Sequence, residues 1–144
     1  MVEYETPLPV DAPGPPSSYD YDMSRVYLAD QSAEDRAALK SLLRDVNLFV
    51  VGEATDWATL SAEAPGSHAD MLVLDWDLLP DRPARSLADL RAACPAKIVI
   101  VLTSRNQSRR QAERSSGADS FISKGETPDR VASGLRSAAA RISA

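Results

Sequence analysis

The chain has 144 residues, enough for one domain of ordinary size, and with 44% hydrophobic residues it can bury a core. Its single cysteine, Cys94, excludes an internal disulfide framework and a cysteine-based metal cluster. A formal charge of −5 disfavours nucleic acid as a direct partner, and the absence of a transmembrane-length apolar run or a secretory leader leads us to expect a cytoplasmic protein with no membrane partner.

Residues 1–24 read as a disordered, acidic, proline-rich tail, and residues 25–144 as the folded domain. The tail holds Glu3, Glu5, Asp11, Asp20 and Asp22 with no Lys or Arg, so it accounts for the whole −5. Pro7, Pro9, Pro13, Pro15 and Pro16 interrupt it, and it lacks the apolar periodicity needed to offset its ordering entropy. Tyr4, Tyr19 and Tyr21 among the acids leave open a docking or autoinhibitory role.

Strands are predicted at 25–30, 46–52, 71–75, 97–103 and 119–123. Between them, Ser32 and Asp35 form a capping box for a helix whose buried face is Ala37, Ala38, Leu39, Leu42 and Leu43. Thr55 caps a short helix that ends at Pro65-Gly66. Pro80 and Pro83 break a loop over 78–85, and a helix follows over 86–94. A further helix is expected over 107–116, with Gly117 as its left-handed cap. Thr127-Pro128-Asp129 opens the last helix, striped by Val131, Leu135, Ala138 and Ile142.

Strand and helix alternate five times. That order means an α/β fold: a parallel sheet between two helical layers, joined by right-handed crossovers. At this size the flavodoxin-like (βα)5 sandwich, with sheet order 2-1-3-4-5, is the common solution, and its ligands bind at the carboxyl ends of the strands. The run Met71-Leu72-Val73-Leu74 leads straight into Asp75, as expected for a buried central strand ending at that edge. Asp30, Thr103 and Lys124 close three other strands on the same edge. Two acids there can share Mg²⁺, and a lysine and a hydroxyl can hold phosphoryl oxygens, so that a phosphoryl group can move onto Asp75.

These stretches resemble the receiver domain of two-component response regulators, the CheY-like family, and are nearest in motif to NarL/LuxR-type receivers. The resemblance runs through RVYLAD (25–30), VVGEATD (50–56), ADMLVLDWDLLP (69–80), IVIVLTS (98–104) and GADSFISKG (117–125). It implies phosphorylation of Asp75 by a histidine kinase or phosphotransfer protein, with Lys124 and Thr103 assisting. It implies Thr103 and Phe121 as the switch pair, and Mg²⁺ held by Asp30, Asp75 and the backbone carbonyl of Asp77. A downstream protein would read the face made by the fourth and fifth helices and the fifth strand. It also implies a non-enzymatic signalling domain; because residue 144 closes the last helix of the pattern, we expect it to work by protein contact unless an output domain has been removed.

Two main departures and a lesser one, at Gly125, stand out. Gln31 follows Asp30 where most relatives carry a second acid. An amide oxygen can ligate Mg²⁺ but adds no charge, so weak metal binding is expected. Four residues separate Asp75 from Pro80, where three are common, and Gly125 stands where many relatives have proline. The alternative is therefore a pseudo-receiver, a binding module independent of phosphorylation. A haloacid-dehalogenase-like phosphohydrolase, with Asp75 and Asp77 as its first motif, is less favoured, because only one helix follows Lys124. Trp76 is expected to be a partly exposed reporter beside the site, His68 inert, Cys94 a buried helix-end residue, and Arg109, Arg110 and Arg114 a solvated basic face.

Overall fold

A computed structural model describes residues 24–94, 98–103 and 117–142. The predicted tail and the helix expected over 107–116, with its three arginines, lie outside the described residues. The elements are β1 (Arg25–Ala29), α1 (Ala33–Asp45), β2 (Phe49–Ala54), α2 (Trp57–Glu63), β3 (Met71–Asp75), α3 (Pro83–Ala93), β4 (Ile98–Thr103), β5 (Ser120–Ser123) and α4 (Pro128–Ile142). The five strands are parallel in the order β2-β1-β3-β4-β5, as the alternation predicts.

The period-two alternation of strand side chains assigns the two faces of the sheet. Val26, Leu28, Met71 and Val73 pack with Leu39 and Leu43 of α1 and Val131, Leu135 and Ala138 of α4. Tyr27, Ala29, Leu72 and Leu74 point the other way, onto Leu60 of α2 and Leu87 and Leu90 of α3. Every residue of β3 is buried, so this strand is covered on both sides. Cys94 is buried at the end of α3.

Several boundaries differ from the sequence reading. β2 begins at Phe49 rather than residue 46, because the α1 exit continues through Val46 and Asn47 turns the chain with φ 62°. Asparagine tolerates that left-handed conformation better than most residues. Asp56, not Thr55, caps α2, and the Thr59 backbone N–H donated to it holds its carboxyl below the usual range. Pro83 begins α3 instead of breaking a loop: at the first helical position its missing N–H leaves no bond unmade. On α1 the buried pair is Leu39 and Leu43, while Ala37 and Ala38 are exposed, so the apolar stripe is narrower than predicted. β1 ends at Ala29 and β5 starts at Ser120, one residue inside each prediction.

The β1–β2 register slips by one residue between Val26 and Tyr27, so that Tyr27 faces Gly52. The Tyr27 ring lies across that glycine, and a Cβ at position 52 would stand 2.6 Å from Tyr27 Cε2. The Tyr27 hydroxyl donates to Glu63 Oε1 at 2.8 Å, with the Glu53 carbonyl a second acceptor within 3.2 Å, which leaves the ring little freedom to give way. Burial, then the bond to Glu63 and its charge, raises the Tyr27 pKa. Gly52→Ala is expected to destabilise the fold by about 1–3 kcal/mol, as overpacking usually does, and urea unfolding measures it.

Candidate functional site

The parallel topology brings the carboxyl ends of β1, β3, β4 and β5 to one edge, and the chain turns there into polar residues. Asp30 follows β1. Its backbone N–H donates to the Ala54 carbonyl at 3.0 Å, its own carbonyl accepts from Arg36 Nη1 at 2.6 Å, and its Oδ1 accepts from the Ser32 N–H at 2.9 Å. Those bonds aim Oδ2 into the edge. Asp75 ends β3, and its Oδ1 accepts from the Asp77 N–H at 3.2 Å, capping the 3₁₀ turn Trp76–Leu78. Its Oδ2 is thereby left facing the same space.

Lys124, one residue past β5, fills that space. Its Nζ lies 2.7 Å from Asp30 Oδ2, 3.2 Å from Asp75 Oδ2 and 2.9 Å from Asp35 Oδ2. The side chain of Asp30 has 0% exposure and that of Asp75 9%, so both carboxylates depend on this ammonium for charge compensation. Asp30 Oδ2 takes no hydrogen bond of good geometry despite its closeness to Nζ; their attraction is Coulombic, and a buried lone pair stays open.

Charge and burial pull against each other. Burial raises the Asp75 pKa, with the Asp77 N–H and the Lys124 charge acting to lower it and Asp30 adding to the rise. For Lys124, burial disfavours the charge, but the close carboxylates of Asp30 and Asp35 and the charge of Asp75 outweigh it and raise the pKa. The lysine is thus fully charged at neutral pH.

The predicted residues converge unequally. Asp30, Asp75 and Lys124 meet directly. Thr103 ends β4, where the register pairs Asp75 with Leu102 and Thr103 with Ser123, so the chain places it at the same rim. Phe121 is half-buried and packs against the cluster that includes Tyr27, Leu72 and Leu74. Asp77 and Gln31 are exposed beside the pocket, and Trp76 is half-buried. Asp35 is the residue that sequence reasoning misplaced. Its N–H does bond to Ser32 Oγ at 3.1 Å, but its carboxylate goes to Lys124 and the Ser32 N–H goes to Asp30, so only half of the capping box forms.

The donor set suits a hard cation that keeps most of its waters. Among the described residues no three His, Cys, Asp or Glu side chains are disposed to hold a metal by themselves. Mg²⁺ needs only one or two carboxylates, however, and Asp30 and Asp75 present two oxygens against a single nitrogen, one of them with a free buried lone pair. Among the described residues no helix is long and apolar enough to cross a membrane.

A parallel sheet of this order, with an acid–lysine pocket at its carboxyl edge, is the CheY-like form of the flavodoxin fold. The chain belongs to the response regulator receiver domain family, whose sequence model matches residues 26–136. Among solved structures it is similar to the isolated receiver domain of RcsB from Salmonella enterica serovar Typhimurium with phosphomimetic BeF3−, at 21% identity and TM-score 0.69, covering 78% of this chain and 86% of that one. It is also similar to a LuxR-family two-component response regulator from Aurantimonas, at 20% identity and TM-score 0.71, covering 83% and 86%. Against RcsB bound to promoter rprA the identity is 21% and the TM-score 0.68; the match covers 78% of this chain but only 65% of that regulator. No curated protein matches the chain.

Proposed function

We infer that this receiver domain accepts a phosphoryl group on Asp75 from a histidine kinase or phosphotransfer protein and passes the signal on by protein contact. The observation that carries the reading is the Lys124 ammonium, 3.2 Å from Asp75 Oδ2 and 2.7 Å from Asp30 Oδ2, at the edge where the sheet meets solvent. A carboxylate oxygen of Asp75 forms the new bond to phosphorus as the donor's phosphorus–nitrogen bond breaks, and that electron pair leaves with the imidazole nitrogen. Lys124 supports the transfer by balancing charge on the phosphoryl oxygens, which Asp30 alone would repel. Mg²⁺, held by Asp30, Asp75 and the backbone carbonyl of Asp77, would supply further charge neutralisation. Thr103, which ends β4, would supply a hydroxyl to the phosphoryl group. Phe121 is the side chain that responds, biasing a two-state surface formed by β5 and α4.

Gln31 contributes no charge, and Lys124 already competes for the two acids. Half-saturation by Mg²⁺ is therefore expected above ~1 mM. Trp76 fluorescence in a Trp57→Phe background reads it directly, and saturation far below that concentration would refute the argument from Gln31. The function itself is tested with acetyl phosphate and Mg²⁺. The intact mass should rise by one phosphoryl group, the adduct should be labile in alkali, and a chelator should prevent it. Absence of the adduct would favour the second reading, a phosphorylation-independent binding module. That reading draws support from an ammonium already crowded by three carboxylates.

A further inference from the structure

Lys124 has a third carboxylate partner that phosphoryl transfer as described does not use. Asp35 reaches it from the first turn of α1, with its own backbone fixed by the bond to Ser32 Oγ. Three carboxylates, Asp30, Asp35 and Asp75, lie within 3.2 Å of the ammonium, and Asp35 accepts a hydrogen bond from it. The three acids differ in exposure. The side chain of Asp30 is wholly buried and that of Asp75 almost so, while that of Asp35 is 45% exposed. Asp30 Oδ2, buried and without a hydrogen-bond partner, is aimed into the same space and has a lone pair open to a second cation.

The atoms a divalent cation would share are the atoms the ammonium now touches, Oδ2 of Asp30 and Oδ2 of Asp75. For both acids to be shared, Lys124 must back away toward the rim. Without a partner there, it would either stay against a like charge or stand partly desolvated and unpaired, and both are costly. Asp35 is the acid at the rim. We propose that Asp35 is a positioning residue of this pocket, retaining the Lys124 ammonium when a divalent cation or a phosphoryl oxygen claims Asp30 and Asp75. The inference rests on reading the pocket as a Mg²⁺-dependent phosphoryl acceptor. Loss of the Asp35 charge acts in one direction through two routes: the pocket becomes less negative, and the ammonium holds Asp30 and Asp75 more tightly against the incoming metal.

The test is a Mg²⁺ titration of the full chain in the Trp57→Phe background, followed by Trp76 fluorescence. Asp35→Asn should raise the half-saturating Mg²⁺ concentration roughly three- to tenfold. Asp35→Glu, which keeps the charge, should recover most of the loss. Glu34→Gln, in the same helical turn but exposed and outside the pocket, should stay within about twofold of the parent. In a Lys124→Met background the Asp35→Asn effect should shrink to about twofold or less, because its route through the lysine is gone. An Asp35→Asn protein that binds Mg²⁺ like its parent overturns the role of Asp35 and leaves the phosphoryl-acceptor reading standing. An effect of equal size with and without Lys124 also overturns the positioning role. A parent protein that neither responds to Mg²⁺ nor forms an acyl phosphate removes the inference and the reading together.

Discussion

Asp75→Asn will take no phosphoryl group from acetyl phosphate, and it will melt higher than the wild type at neutral pH. The first effect is complete, because a neutral amide replaces the carboxylate nucleophile at the centre of the pocket. The second follows from the cost of charging Asp75 where it sits. Burial raises its pKa, and neither the Asp77 N–H nor the Lys124 ammonium cancels that rise. An acid with a raised folded pKa binds its proton more readily folded than unfolded. Stability therefore falls as pH climbs from the ordinary value of about 3.9 through the higher folded value. Asparagine has nearly the same shape and carries no charge, so the variant escapes that loss. Its Tm should exceed the wild-type value by a few degrees at pH 7, and the gap should close as pH falls toward that of an ordinary carboxyl. Calorimetry at the two pH values checks it; a variant melting below the wild type at pH 7 would mean that attraction to Lys124 outweighs burial.

A carboxylate that burial makes costly to charge is more readily explained by a site than by a scaffold. The same logic explains which parts of the pocket were legible in the sequence. An apolar strand that runs into a carboxylate names its own edge, and parallel connections put every such edge on one side of the sheet. Asp30, Asp75 and Lys124 were therefore predictable as a group before any distance was known. Asp35 was not, because its spacing from Ser32 satisfies a helix cap just as well, and its true partner is 89 residues away. Local pattern accounts for the residue type, and tertiary packing decides where the carboxylate goes. The start of β2 was misjudged for a related reason. Val46 is as apolar as a strand residue, but it completes the exit from α1, and the positive φ of Asn47 delays the strand. Pro83 reads as a loop breaker and as a first helical residue with equal ease, and only the helix that follows it decides.

Lys124→Met is expected to be the most destabilising single change in the pocket, costing roughly 3 kcal/mol, the low end for removing one partner of a buried ion pair because the lysine side chain is 26% exposed. Methionine keeps the apolar length of the side chain, so the loss measures charge more than packing. Without the ammonium, Asp30 and Asp75 face each other in a largely dry space with Asp35 at its rim. Two signatures separate this from a generic packing defect. Saturating Mg²⁺ should return much of the lost stability, since a divalent cation can occupy the place between the two acids, whereas the wild type should gain less. The alkaline limb should also change. Lys124 has a raised folded pKa, so its contribution is fully present below the ordinary lysine value of about 10.4 and is lost as pH rises through the higher folded value. The variant should lack that limb. Urea midpoints with and without Mg²⁺, at neutral and alkaline pH, measure both signatures. A variant as stable as the wild type without metal would mean that Asp30 and Asp75 do not both carry charge, and the acid pocket would then lack the electrostatics that phosphoryl transfer to Asp75 requires.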